Sequence, residues 1–103
     1  MYYQQGYVII EPCKFPSDGK EVNPDNRGFI LARGEATGHA HALENVEGVE
    51  VVEKDGGFYI RLGNPATLRH EEHRPITIPM GEYRIRKVRE YDHFSEEARA
   101  VKD

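Results

Sequence analysis

Apolar and polar positions alternate along most of this chain, and short apolar runs are cut by glycine, proline and Asp/Asn pairs. Residues 6–11 (GYVIIE) are rich in β-formers and end at Pro12, and residues 28–33 (GFILAR) form a second such run. In residues 39–43 (HAHAL), His39, His41 and Leu43 fall on one strand face and Ala40 and Ala42 on the other. Residues 49–53 and 58–62 flank Asp55-Gly56-Gly57, and Asp-Gly tolerates the positive φ of a tight turn, which predicts a hairpin. A second hairpin is predicted from residues 76–79 and 82–90 around Pro79-Met80-Gly81, with Tyr83 and Ile85 facing one way and Arg84 and Arg86 the other.

Two places read as helical. Asn64-Pro65 caps a helix that runs to His73 and stops before Pro75, and Ser95-Glu96-Glu97 opens a short C-terminal turn. Residues 12–27, with three prolines, read as a long surface loop or flap, and residues 92–103 as a tail. The expected fold is all-β: a small single-domain β-barrel or sandwich over residues 1–103, with one or two short helical turns.

Composition narrows the class. Hydrophobic residues make up 38% and charged residues 31% of 103 positions, too apolar for a disordered chain. No run approaches the roughly 18 apolar residues of a membrane helix. The start, MYYQQGYVIIEP, lacks the basic flank and apolar stretch of a signal peptide, so a cytoplasmic location is expected and no membrane partner. One cysteine, Cys13, excludes an internal disulfide and a CxxC zinc framework. A net charge of −4 speaks against general attraction to nucleic acid. Arg84, Arg86, Lys87 and Arg89 do form a basic stripe with Tyr83 and Tyr91, but Glu82, Glu90 and Asp92 interrupt it. It reads as a solvated strand face with cross-strand ion pairs.

The histidines carry the chemistry. Four of five fall in two tight clusters, GHAH at 38–41 and HEEH at 70–73, with His93 apart. His39 and His41 project side by side from a strand, while His70 and His73 share a face in a helical turn and diverge in a regular strand. If the clusters meet, His39, His41, His70 and His73 are metal ligands. Glu71 and Glu72 are then candidate catalytic carboxylates, or further ligands or orienting groups, with Glu35 and Glu44 in reserve. Imidazole and carboxylate without thiolate suit one divalent transition metal, whether Zn, Fe, Mn, Ni or Cu. The blander reading is a hydrogen-bonded histidine network. HEEH is not the metalloprotease motif, whose histidines stand four apart on a helix. The turn at 33–39 (RGEATGH) reads as a hairpin turn, or else as a loop that brings Glu35 or Thr37 to a ligand.

Two resemblances rest on these residues. Gly34, His39-Ala40-His41 and Glu44, with Pro79-Met80-Gly81 downstream, loosely resemble the motifs of the cupins, although Arg84 stands where the second motif has histidine. That likeness implies a barrel with an internal histidine cluster. Over nearly the whole chain, QG-V near the start, LARGEATGHAHAL, L-HEEH-PI-IP-G-Y-I and REYD look like a family of small uncharacterised bacterial and phage-borne proteins. This implies a complete small protein of bacterial type and carries over no site residue.

The expected function is a small intracellular metal-binding β-barrel protein, with hydrolase, isomerase or dioxygenase chemistry open and enzymatic activity undecided. The rival is a metal-free accessory module that binds a protein partner through Tyr2, Tyr3, Tyr7 or the 12–27 flap. A small-molecule ligand and a homo-oligomer paired through a strand edge both stay open.

Overall fold

The computed structural model describes residues 1–34 and 38–88. It is all-β: among the described residues ten strands form two antiparallel sheets that face each other as an unclosed sandwich. The strands are β1 (Tyr3–Gln5), β2 (Val8–Pro12), β3 (Lys20–Glu21), β4 (Phe29–Arg33), β5 (Ala40–Leu43), β6 (Val49–Lys54), β7 (Gly57–Leu62), β8 (Ala66–His70), β9 (His73–Ile78) and β10 (Gly81–Lys87). The larger sheet has the order β1-β2-β10-β7-β6-β3, and the smaller β4-β5-β8-β9.

Alternation explains the core. Val8 and Ile10, Val51, Ile60 and Leu62, and Tyr83 and Ile85 turn inward from the larger sheet; Phe29 and Leu31, Leu43, Ala66 and Leu68, and Ile78 meet them from the smaller one. The β6–β7 hairpin forms as the sequence predicts. Asp55 and Gly56 have φ of 53° and 80°, the two positive values that a type I′ turn demands. On β10 the outward Arg84 and Arg86 bond Glu11 on β2 at 2.6 and 3.0 Å, as an ion-paired strand face should.

Two expectations fail. Residues 64–73 are not a helix: Ala66 and Leu68 are buried at spacing two, which strand β8 satisfies and a helix would not. The second predicted hairpin does not form either. β9 pairs with β8, β10 pairs with β2 and β7, and Pro79-Met80 carries the chain from one sheet to the other. Such a crossing suits the local geometry, since Gly81 has φ 150° and Tyr83 Oη donates to Pro79 O at 2.7 Å. The helical turn expected at 95–97 and the tail at 92–103 lie outside the described residues.

Within 12–27 the chain is pinned at several points. Cys13 N donates to Glu82 O, Phe15 N to Glu82 Oε1, and β3 pairs with β6. Tyr3 and Tyr7 are half-buried against the core rather than presented to solvent; Tyr2 is 59% exposed. Strand β9 edges its sheet and carries Arg74 and Pro75, residue types that blunt an edge against further pairing.

The Glu11 pair gives a pH prediction. The Arg84 guanidinium first, then Arg86, holds the Glu11 carboxyl below its ordinary value. A folded value below the unfolded one contributes stability above the unfolded value and loses it as pH falls through the folded one. Thermal melts of wild type and Glu11→Gln should therefore differ near neutral pH, with the variant less stable, and converge at acid pH. A gap unchanged between the two conditions refutes the assignment.

Candidate metal centre

The HEEH segment is a hairpin end. β8 and β9 are joined by the two-residue turn Glu71-Glu72, so His70 and His73 are direct cross-strand partners. Opposed residues hold their Cβ atoms about 5 Å apart, near enough for ring contact. On the other side, Ala42 pairs with Arg69 and Leu43 with Leu68, and one further step of that register sets His41 beside His70. Three imidazoles thus converge from β5, β8 and β9. Ring centroids lie 4.3 Å apart for His41 and His70, 4.6 Å for His70 and His73, and 5.6 Å for His41 and His73. His39, just ahead of β5, stands 5.6 Å from His70.

One ligand nitrogen from each of His41, His70 and His73 lies within 4.8 Å of the others. Three nitrogens on a tetrahedral ion with bonds near 2.0 Å sit roughly 3.3 Å apart, so the rings need close by no more than about 1.5 Å. A second set, His39, His70 and Glu71, meets the same limit and shares His70. All four predicted histidines therefore come together, with Glu71 beside them. Glu72 falls in neither set; its Oε2 is 3.6 Å from His39 Nδ1, and its side chain is 68% exposed. Glu44 is bound to Arg69 at 2.7 and 3.0 Å on the sheet's outer face. Glu35, Thr37 and His93 lie outside the described residues.

Gln5 is the site residue that sequence reasoning missed. It sits fully buried at the end of β1, and its Nε2 donates to Leu68 O at 3.0 Å and Arg74 O at 2.8 Å. With both amide hydrogens committed, Oε1 must accept, so His41 Nδ1, 2.8 Å away, carries the ring hydrogen. His41 Nε2 is then the basic nitrogen of the neutral ring. This is the arrangement by which an outer partner presets a metal-binding imidazole. The only sequence signal was a polar residue at an inward position of a short β-rich start.

Gly6 closes the same end of the sandwich. It takes φ 60° at the first position of the β1–β2 turn, where a type II′ turn places glycine. A Cβ there would stand 2.8 Å from His73 Nε2 and 3.3 Å from His41 Cε1. Tyr7, the next residue, packs edge-on against His41 at 5.3 Å. The bare glycine keeps space open beside His73 Nε2.

Electrostatics favour the neutral form of His70. Burial first, and then His73, push the His70 pKa down, with Glu71 partly opposing. His70 Nδ1 accepts the Glu72 backbone N–H at 2.9 Å. An ion on Nδ1 displaces that N–H, and an ion on Nε2 moves the ring hydrogen to Nδ1. Either route breaks this bond, at a cost of about 1 kcal/mol. Glu71 stays ionised readily, because the Ala40 backbone N–H bonds its Oε1 at 2.9 Å and lowers its pKa.

The profile of a domain of unknown function (DUF8820) matches residues 4–88, which include every side chain of this cluster. The chain belongs to that family. No curated protein matches it, and no solved structure does. The expectation of an uncharacterised family is thereby met. Among the described residues no helix is long and apolar enough to cross a membrane.

Proposed function

We propose that this member of the family binds one divalent transition metal ion through His41, His70 and His73. The convergence of three imidazoles from three adjacent strands, one already oriented by Gln5, carries this reading. Three neutral nitrogens suit Zn, Fe, Mn, Ni or Cu in the divalent state and leave a fourth position for water or a ligand. Fixed strand register lowers the cost of assembling such a site, because the rings are neighbours before an ion arrives. Water on the ion would be a stronger acid. Glu71, placed with His70 in the second set, is then the carboxylate better situated to take its proton, ahead of Glu72.

Elemental analysis of tag-free protein purified without added metal or chelator should find about one equivalent of a transition metal, as one three-histidine site requires. His73→Ala should weaken binding by more than about 100-fold, beyond what loss of an outer partner does. Protein that takes up no Zn²⁺, Mn²⁺ or Fe²⁺ on titration would return the histidines to a structural role.

A further inference from the structure

Resting on that reading, we propose that His39, His70 and Glu71 form an outer station for the same ion, through which it enters and leaves the inner trio of His41, His70 and His73. Both sets meet the same distance limit, and they share one ring. A neutral imidazole has a single basic nitrogen, so His70 serves one set at a time. The two positions are alternatives, and the total occupancy is one ion.

Burial gives the path its direction. His41 is completely buried and His73 half-buried, and a Cβ on Gly6 would press against both rings. At the other station the side chains are open to solvent, by 29% for His39 and 42% for Glu71. His70 and Glu71 also line an open groove on the outer face of the smaller sheet, together with Arg27, Ala40, Ala42 and Arg69. The outer set, with one exposed ligand and none buried, is the more open of the two and is the one that faces an arriving ion in this proposal.

The ligand chemistry agrees. The outer set holds a carboxylate, which catches a hydrated divalent ion by charge and exchanges it easily, whereas three imidazoles hold borderline metals more firmly. Glu71 Oε1 is anchored by Ala40 N–H, while Oε2 has, among the described residues, a loose 3.9 Å contact with Arg27 Nη1. Oε2 can thus turn to an ion without releasing the turn. His70 already lies 4.3 Å from His41 and 5.6 Å from His39, centroid to centroid, so a small ring movement hands the ion over.

The test uses Co²⁺, whose visible absorption reports its ligands, with stopped-flow mixing for uptake and a strong chelator for release. Glu71→Gln and His39→Ala should keep one tight equivalent while uptake and release both slow by about tenfold or more, as loss of an entry path requires. Glu71→Gln retains an acceptor for Ala40 N–H, so the turn is preserved. His73→Gln should leave one weak, rapidly exchanging ion with an oxygen-richer spectrum, and Glu71→Gln added to it should abolish that ion. Wild-type rates in both outer variants, or no residual ion in His73→Gln, would overturn the outer station while leaving the inner site standing. Absence of Co²⁺ uptake by the wild type would overturn both.

Discussion

Gln5→Leu is expected to bring the protein close to unfolding at room temperature. The substitution removes three hydrogen bonds and leaves Leu68 O, Arg74 O and His41 Nδ1 without their present partner. Each buried polar group so stranded costs about 1–3 kcal/mol. Water can reach the Arg74 side of the network more easily than the Leu68 side, so the sum should fall near the lower part of the range, at roughly 3–6 kcal/mol. That is a large share of the total, since domains of this size are stable by only about 5–15 kcal/mol. Urea denaturation followed by far-UV circular dichroism measures it. A loss below about 1 kcal/mol would mean that the carbonyls find other partners and that Gln5 does not tie the sheets together.

Gln5→Glu separates the two roles of this residue. It keeps an oxygen facing His41 Nδ1 and discards the two donors to Leu68 O and Arg74 O. Stability should fall much as in Gln5→Leu, but the folded fraction should still bind metal, because the His41 tautomer is preserved. Gln5→Leu should lose both. Equal metal affinity in the two variants, measured on folded protein, would remove Gln5 from any part in the site.

Gly28→Ala is expected to lower the melting temperature by the largest margin of any glycine substitution away from the histidines. Gly28 has φ 109°, and a Cβ there would stand 2.0 Å from the backbone oxygen of Leu43. That oxygen belongs to strand β5, which pairs with β4 from Phe29 onward, so relief requires the strands to part at the start of the ladder. Backbone strain of this kind costs about 1–3 kcal/mol and the clash adds to it. A total near 3 kcal/mol corresponds to a fall of roughly 12–24 °C for a domain of this size. Gly56→Ala is the control: φ is 80°, but nothing lies within 4 Å of the added methyl, so only the turn strain remains. Similar melting temperatures for the two variants would show that the contact with Leu43 relaxes freely.

Much of this architecture was legible in the residue pattern because strand faces repeat every second residue. Alternation along 58–62 and 82–87 located β7 and β10 and their inward side chains, and Asp55-Gly56 located a turn, since local dihedral preference settles both. Local preference also misled. Asn64-Pro65 resembles a helix start, and the spacing of three in HEEH fits a helical face. A two-residue hairpin turn brings residues three apart together equally well, and burial of Ala66 and Leu68 selects it. For Pro79-Met80-Gly81 the turn was visible but not the partner, because a short connection looks the same whether the chain folds back within a sheet or crosses to another.

The candidate site divides along the same line. Which histidines take part could be seen from their clustering, as could the side-by-side projection of His39 and His41. Their meeting with His70 and His73 rests on the pairing of β5 with β8, a contact across 25 positions between Leu43 and Leu68 that no local pattern encodes. Gln5 belongs to this second class as well, bonding residues 63 and 69 positions away. Residue types and their periodicity state which side chains can do chemistry and which face they leave by. Register between distant strands states which of them touch, because it is chosen by burial of the whole core and not by any one segment.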